Sequence, residues 1–167
     1  MTTTEPPAPA PPPIHEAIKP LAYLLGTWRG EGHGSYPTVP DFHYGEEMTF
    51  RHNGKPFIAY SQRSWSLDDG RPLAAESGYF RPQPDGTVEV VMSNPTGNTE
   101  VYVGSFEGRR IEMASDLIAR TATAKEVTAI KRLYGMVAVE LMYAIDMAAM
   151  GQPLQSHLAG TLSRIGD

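Results

Sequence analysis

The sequence predicts an all-β protein, an antiparallel up-and-down barrel of about ten strands with a short N-terminal helical segment. Three observations carry this reading. After Gly26 the apolar residues recur with period 2 instead of 3.6, and turn signals arrive about every ten residues. No stretch between those turns has the length and spacing of the helix that a parallel crossover needs.

The elements follow in chain order. The opening MTTTEPPAPAPPP holds six of the chain's 15 Pro, so residues 1–13 read as a disordered arm, with residues 14–167 as the folded domain. The arm has neither the basic region nor the apolar stretch of a signal peptide, and no later window reaches the roughly 20 apolar residues of a membrane span. A cytoplasmic protein without membrane attachment is expected. Ile14, Ala17, Ile18, Leu21, Leu24 and Leu25 recur at helical spacing, and Pro20 is expected to divide that run into two short pieces that plug one end of the barrel.

Strands are expected at Trp28–Tyr36, Phe42–Arg51, Pro56–Trp65, Leu73–Arg81, Thr87–Ser93, Thr99–Phe106, Arg110–Ser115, Val127–Tyr134, Val137–Met147 and His157–Ile165. Asn53-Gly54, Asp69-Gly70, Asp85-Gly86, Thr96-Gly97-Asn98 and Glu107-Gly108 supply turns between them. Closure removes the edges of so many antiparallel strands, and a calycin-like cylinder of this count is wide enough to enclose a ligand.

Composition removes several chemistries. The 41% apolar and 20% charged content is that of an ordinary globular domain. A net charge of -5, from 14 Lys+Arg against 19 Asp+Glu, leaves no basic footprint for nucleic acid. The absence of Cys excludes disulfides, thiolate catalysis, Cys-ligated zinc and iron–sulfur clusters, and leaves His and carboxylates as the strong metal ligands.

Strand faces place some residues. In Val137–Met147 the alternate residues Val137, Val139, Leu141, Tyr143, Ile145 and Met147 share an apolar face. In Phe42–Phe50, Glu46 shares its face with Phe42, Tyr44, Met48 and Phe50, so it either lines a partly polar interior or faces solvent near a rim. Trp28, Gly30 and Gly32 share a face where another element must come close. Of the five His, His15 and His52 read as exposed, His33 and His43 flank the Gly34–Asp41 loop, and His157 leads into the last strand. No pair shows HxH or HExxH spacing. A lone His in such a position is either a hydrogen-bonded structural residue or a ligand. Lys125 is either a solvated hairpin tip or an anion-pairing cation at the cavity mouth, and no GxSxG elbow supports a hydrolase.

The order of several short motifs then becomes informative. Gly26-Thr-Trp28-Arg-Gly30-Glu-Gly32 has the form GxWxGxG, and is followed by Tyr36-Pro37-Thr38, Phe42-His-Tyr44-Gly-Glu46-Glu47, Gly54-Lys-Pro56, Glu76-Ser-Gly78-Tyr79-Phe80-Arg81, Ala124-Lys125-Glu126-Val127 and Gly151-Gln-Pro153-Leu-Gln-Ser-His157-Leu. From Leu21 to Leu162 the chain resembles the nitrobindins, ten-stranded, fatty-acid-binding-protein-like barrels also described as peroxynitrite isomerases. The resemblance implies one non-covalent haem b per chain, with His157 as the axial iron ligand through which catalysis runs. It also implies a haem contact at Thr38. Lys125 is expected to pair with a haem propionate on charge grounds, with Arg132 as its substitute if Lys125 points outward.

The implied activity is conversion of peroxynitrite to nitrate at ferric haem, with nitric oxide as a second ligand. The alternatives are a non-enzymatic nitric oxide carrier or sensor, and a haem-free barrel holding an apolar ligand; a homo-oligomer is compatible with each. One departure stands out. Where some members carry a distal His, this chain reads Pro72-Leu73-Ala74-Ala75-Glu76, whose Leu73 and Ala74 side chains donate no hydrogen bond.

Overall fold

The computed structural model describes residues 6–167. Its strands are β1 (Gly26–Tyr36), β2 (Val39–Arg51), β3 (Ile58–Ser66), β4 (Pro72–Pro82), β5 (Thr87–Ser93), β6 (Asn98–Glu107), β7 (Arg110–Arg120), β8 (Val127–Val137), β9 (Glu140–Ala149) and β10 (Gln155–Gly166). Each pairs antiparallel with its sequence neighbours, and β10 returns to β1 to close the cylinder, so the expected all-β barrel is the observed one. Thr87–Ser93 matches its expected bounds, and turn glycines such as Gly70 and Gly86 take the positive φ (76° and 85°) that Asp-Gly turns require.

Connections between successive antiparallel strands alternate between two rims. One rim is plugged by a 3-10 helix, Glu16–Leu24, which buries Ile18, Leu21 and Leu24. His15 caps it by accepting the Ala17 N–H at 3.0 Å. The indole of Trp28, 1% exposed, donates to the Leu24 carbonyl at 2.7 Å, while the Arg164 guanidinium lies 4.5 Å over its ring and donates to the Tyr23 carbonyl at 2.7 Å. The helix runs unbroken through Pro20, contrary to the expected division, because a short 3-10 ladder loses only the bond that the missing N–H would have made. Beside this plug, a Cβ on Gly30 would stand 2.0 Å from the Thr161 carbonyl oxygen, so the β1–β10 seam closes only over a glycine.

Most other strand ends shift by one to three residues, and two stretches differ in kind. Val137–Met147 is not one strand: Ala138 and Val139 form the β8–β9 turn, with Ala138 at φ 54°, while Val137 and Val139 are exposed. Leu141, Tyr143 and Ile145 do share the buried face. β7 extends beyond Ser115 because Asp116 is an extra residue between Ser115, opposite Tyr102, and Leu117, opposite Val101; this bulge shifts the alternation by one residue. In the arm, residues 1–5 lie outside the described residues. Residues 6–13 are exposed and join no helix or strand, with Pro12 lying against the Gly54 turn.

Candidate functional site

The rim opposite the plug carries the turns after β1, β3, β5, β7 and β9, and its loops are tied together. The Met150 N–H donates to the Glu126 carbonyl at 2.9 Å, and the Thr121 N–H to the Gly97 carbonyl at 2.9 Å. His157 stands at this rim. On β10, Ser156 pairs with Asp146 and Leu158 with Ile145, leaving His157 as the extra residue of a β-bulge. Such a bulge re-aims a side chain out of the regular alternation. The imidazole is half-buried, packs edge-on against the Tyr36 ring at 5.3 Å, and places Nδ1 3.2 Å from the Ser35 carbonyl oxygen. A carbonyl only accepts, so Nδ1 carries the proton and Nε2 keeps its lone pair. Burial lowers the His157 pKa, an effect only partly offset by the Ser35 bond, so the ring is neutral at pH 7.

Tyr36, beside it, is itself fixed. Its hydroxyl accepts from the Ala149 N–H at 2.8 Å and lies within 3.2 Å of the Met147 carbonyl, spanning from β1 to β9 across the start of β10. Ser35 and Tyr36 are not among the expected site residues; Tyr36 opens the Tyr36-Pro37-Thr38 motif, but its place against His157 emerges only with the β10 bulge. Thr38 lies in the two-residue β1–β2 turn and Lys125 in the β7–β8 loop, both exposed and both on the rim of His157.

Arg132 is not at that rim. It is 4% exposed, and all five of its N–H groups are engaged. Nη1 and Nη2 grip Glu76 at 2.7 and 2.8 Å, Nη1 also donates to the Tyr134 hydroxyl at 3.2 Å, Nη2 to Glu100 at 3.4 Å, and Nε to the Tyr102 hydroxyl at 2.9 Å. Tyr60 donates to Glu76 at 2.8 Å, and Tyr102 to Glu100 at 3.0 Å. With no donor left, Arg132 does not substitute for Lys125 toward an anion.

The electrostatics follow from this geometry. Burial pushes Glu76 up, but the Arg132 guanidinium and its hydrogen bonds bring it below the ordinary carboxylate range. Burial raises Glu100, with Arg132 offsetting only part of the effect. Glu46, 1% exposed, is interior and not at a solvated rim; burial pushes it up to about 7, while the Gln62 amide donates to one of its oxygens at 3.1 Å. Two of these inward carboxylates, Glu76 and Glu100, therefore share one guanidinium, and Glu46 stands apart from it. Strand parity carried a signal for the whole set, since Glu100 shares its face with Tyr102 and Arg132 with Tyr134.

A closed antiparallel cylinder, plugged at one rim and holding an oriented neutral imidazole at the other, defines a barrel of the ligand-binding class. Residues 17–164 match the family described as the THAP4-like, heme-binding beta-barrel domain. The chain belongs to this family of haem-binding barrels. It is 47% identical over 156 residues to a peroxynitrite isomerase of Arabidopsis thaliana, covering 92% of each chain. It is 50% identical over 159 residues to peroxynitrite isomerase 1 of Mycolicibacterium paratuberculosis, covering 92% of this chain and 98% of that one. The crystal structure of Rv2717c from M. tuberculosis superposes with a TM-score of 0.86 at 44% identity, covering 92% of this chain and 99% of that one.

Proposed function

We propose that this chain is a ferric haem b protein that isomerises peroxynitrite to nitrate, holding one non-covalent haem per chain whose iron His157 would ligate. One observation carries the proposal: a half-buried neutral imidazole whose Nδ1 is committed to Ser35 and whose Nε2 is left with a lone pair. That is the donor chemistry a haem iron takes from a protein. The names and near full-length similarity of the relatives support the reaction. When bound, the haem would supply a Lewis-acidic ferric centre for that reaction.

The chain's own residues do the rest. Ser35 fixes the tautomer and, with the edge of Tyr36, the rotation of the imidazole. Lys125 supplies a rim cation to pair with a propionate, and Thr38 a rim contact from the β1–β2 turn. Leu73 and Ala74 on β4 add no side-chain donor to a bound ligand, so positioning falls on the confinement of the site. The locked Arg132–Glu76–Glu100 cluster keeps these charges turned to one another. Nitric oxide is a second ligand of the same iron. No helix among the described residues is long and apolar enough to cross a membrane, and we place the protein in the cytoplasm with small molecules as its partners. Residues 14–167 form the haem-binding unit in this reading, and residues 1–13 an arm outside it.

The test is haemin titration of wild type beside His157→Ala, followed by visible absorption. A stoichiometric Soret band that His157→Ala weakens or shifts is expected; an unchanged band removes His157 from the iron. Peroxynitrite decay with catalytic amounts of loaded protein follows. Rates no faster than free haemin leave a nitric oxide carrier in place of the isomerase.

A further inference from the structure

His33 and His43 lie ten residues apart in sequence, yet β1 and β2 make them direct cross-strand partners. Both are exposed, and both belong to the outward-facing set of their strands, opposite in phase to buried Gly34 and Tyr44. Their ring centroids are 6.5 Å apart with planes inclined at 50°. The other three imidazoles have backbone partners for Nδ1: His15 with Ala17, His52 with Gly54 and His157 with Ser35. His33 and His43 face one another instead.

We propose that His33 and His43 form a second metal site on the outer wall of the barrel, one that chelates a borderline-soft divalent transition ion, copper(II) foremost, independently of haem. A first-row ion binds imidazole nitrogen at about 2.0–2.1 Å, which brings the centroids of two rings on one ion to about 4.5 to 6 Å as the angle between them opens from a right angle. The observed separation is therefore close to the chelating one, and the remaining gap is closed by rotating exposed side chains on a rigid sheet. Cross-strand neighbours on one face are held at contact distance by the ladder itself, so the second imidazole meets the ion already in place.

The surroundings favour a cation. Glu31 and Asp41, each two residues before one of the histidines, present carboxylates on the same outer face, whereas Arg29 is turned to Glu47 at 3.0 Å. Among the described residues no third His, Asp or Glu joins the pair, so water completes the coordination. Two imidazole nitrogens with open positions suit copper(II) best and zinc(II) less well, following the general order of divalent affinities.

The test is copper(II) titration of haem-loaded protein, read by calorimetry and by electron paramagnetic resonance, for wild type, His33→Gln, His43→Gln and the controls His15→Gln and His52→Gln. A parallel series in haem-free His157→Ala protein removes the imidazole assigned to the iron, so the outcome does not depend on the haem assignment. The expected result is one equivalent bound with two-nitrogen hyperfine structure, with affinity falling about 100-fold in either His33→Gln or His43→Gln and unchanged in the controls. A fall of less than about tenfold in either variant, or an equal fall in a control, overturns the site. Circular dichroism of these surface variants confirms that the barrel is intact in each.

Discussion

Replacing Glu46 by Gln is expected to stabilise the barrel at alkaline pH and to leave it nearly unchanged in acid. Glu46 lies on the inward face of β2 between Tyr44 and Met48; Gln62 serves one carboxyl oxygen, and the other has no hydrogen-bond partner. Burial pushes its pKa up to about 7 from 4.5. The folded state therefore holds a proton that the unfolded chain has released between these values. Stability is complete below the unfolded pKa and declines as pH rises toward 7, where it levels off. A shift of about 2.5 units corresponds to about 3 kcal/mol, of which about 2.5 kcal/mol develops between pH 5 and pH 8. Gln carries no such proton and still accepts from Gln62.

Urea unfolding of wild type and Glu46→Gln at both pH values measures the difference, and contributions of groups common to both proteins, His157 included, cancel. The variant's advantage is expected to grow by about 2.5 kcal/mol from pH 5 to pH 8, or about 5–10 °C in thermal midpoint for a chain of this size. An advantage equal at the two pH values, to within about 0.5 kcal/mol, refutes a buried neutral carboxyl at this position.

Two further outcomes follow from the fold. Arg132→Met leaves Glu76 and Glu100 facing each other without a cation, and is expected to cost about 3–5 kcal/mol in urea unfolding, with Arg132→Met/Glu76→Gln recovering part of the loss. Ala138→Gly relieves a left-handed residue (φ 54°) in the β8–β9 turn and is expected to raise stability by about 0.5–1 kcal/mol, measured the same way.

What the chain discloses in advance depends on how local the cause is. Asp69-Gly70 and Asp85-Gly86 announce their turns because the backbone conformation and the residue type coincide, whereas Ala138-Val139 turns within a β-favouring run under the constraint of β8 pairing with β9. Period 2 identified the inward faces of β2 and β9, but the bulge at Asp116 silences that signal in the second half of β7. At the rim, His157 stood out as a lone imidazole entering a strand. Its anchor Ser35 is 122 residues away and becomes visible only when β1 meets β10. The Arg132 cluster draws on β3, β4, β6 and β8, so its parity was visible while its partners were not. His33 and His43 lack any spacing motif because a hairpin, and not a helix turn, brings them together.

The seam between β1 and β10 bears on biosynthesis. A strand from the beginning of the folded region must wait for Gln155–Gly166 before the cylinder closes, and His157 rides on that same segment. While the chain is still being made, Ser35 has no imidazole to hold and β1 has an open edge on one side. Closure of the wall and arrival of the oriented imidazole are thus a single late event, so a truncated chain lacking β10 loses both together.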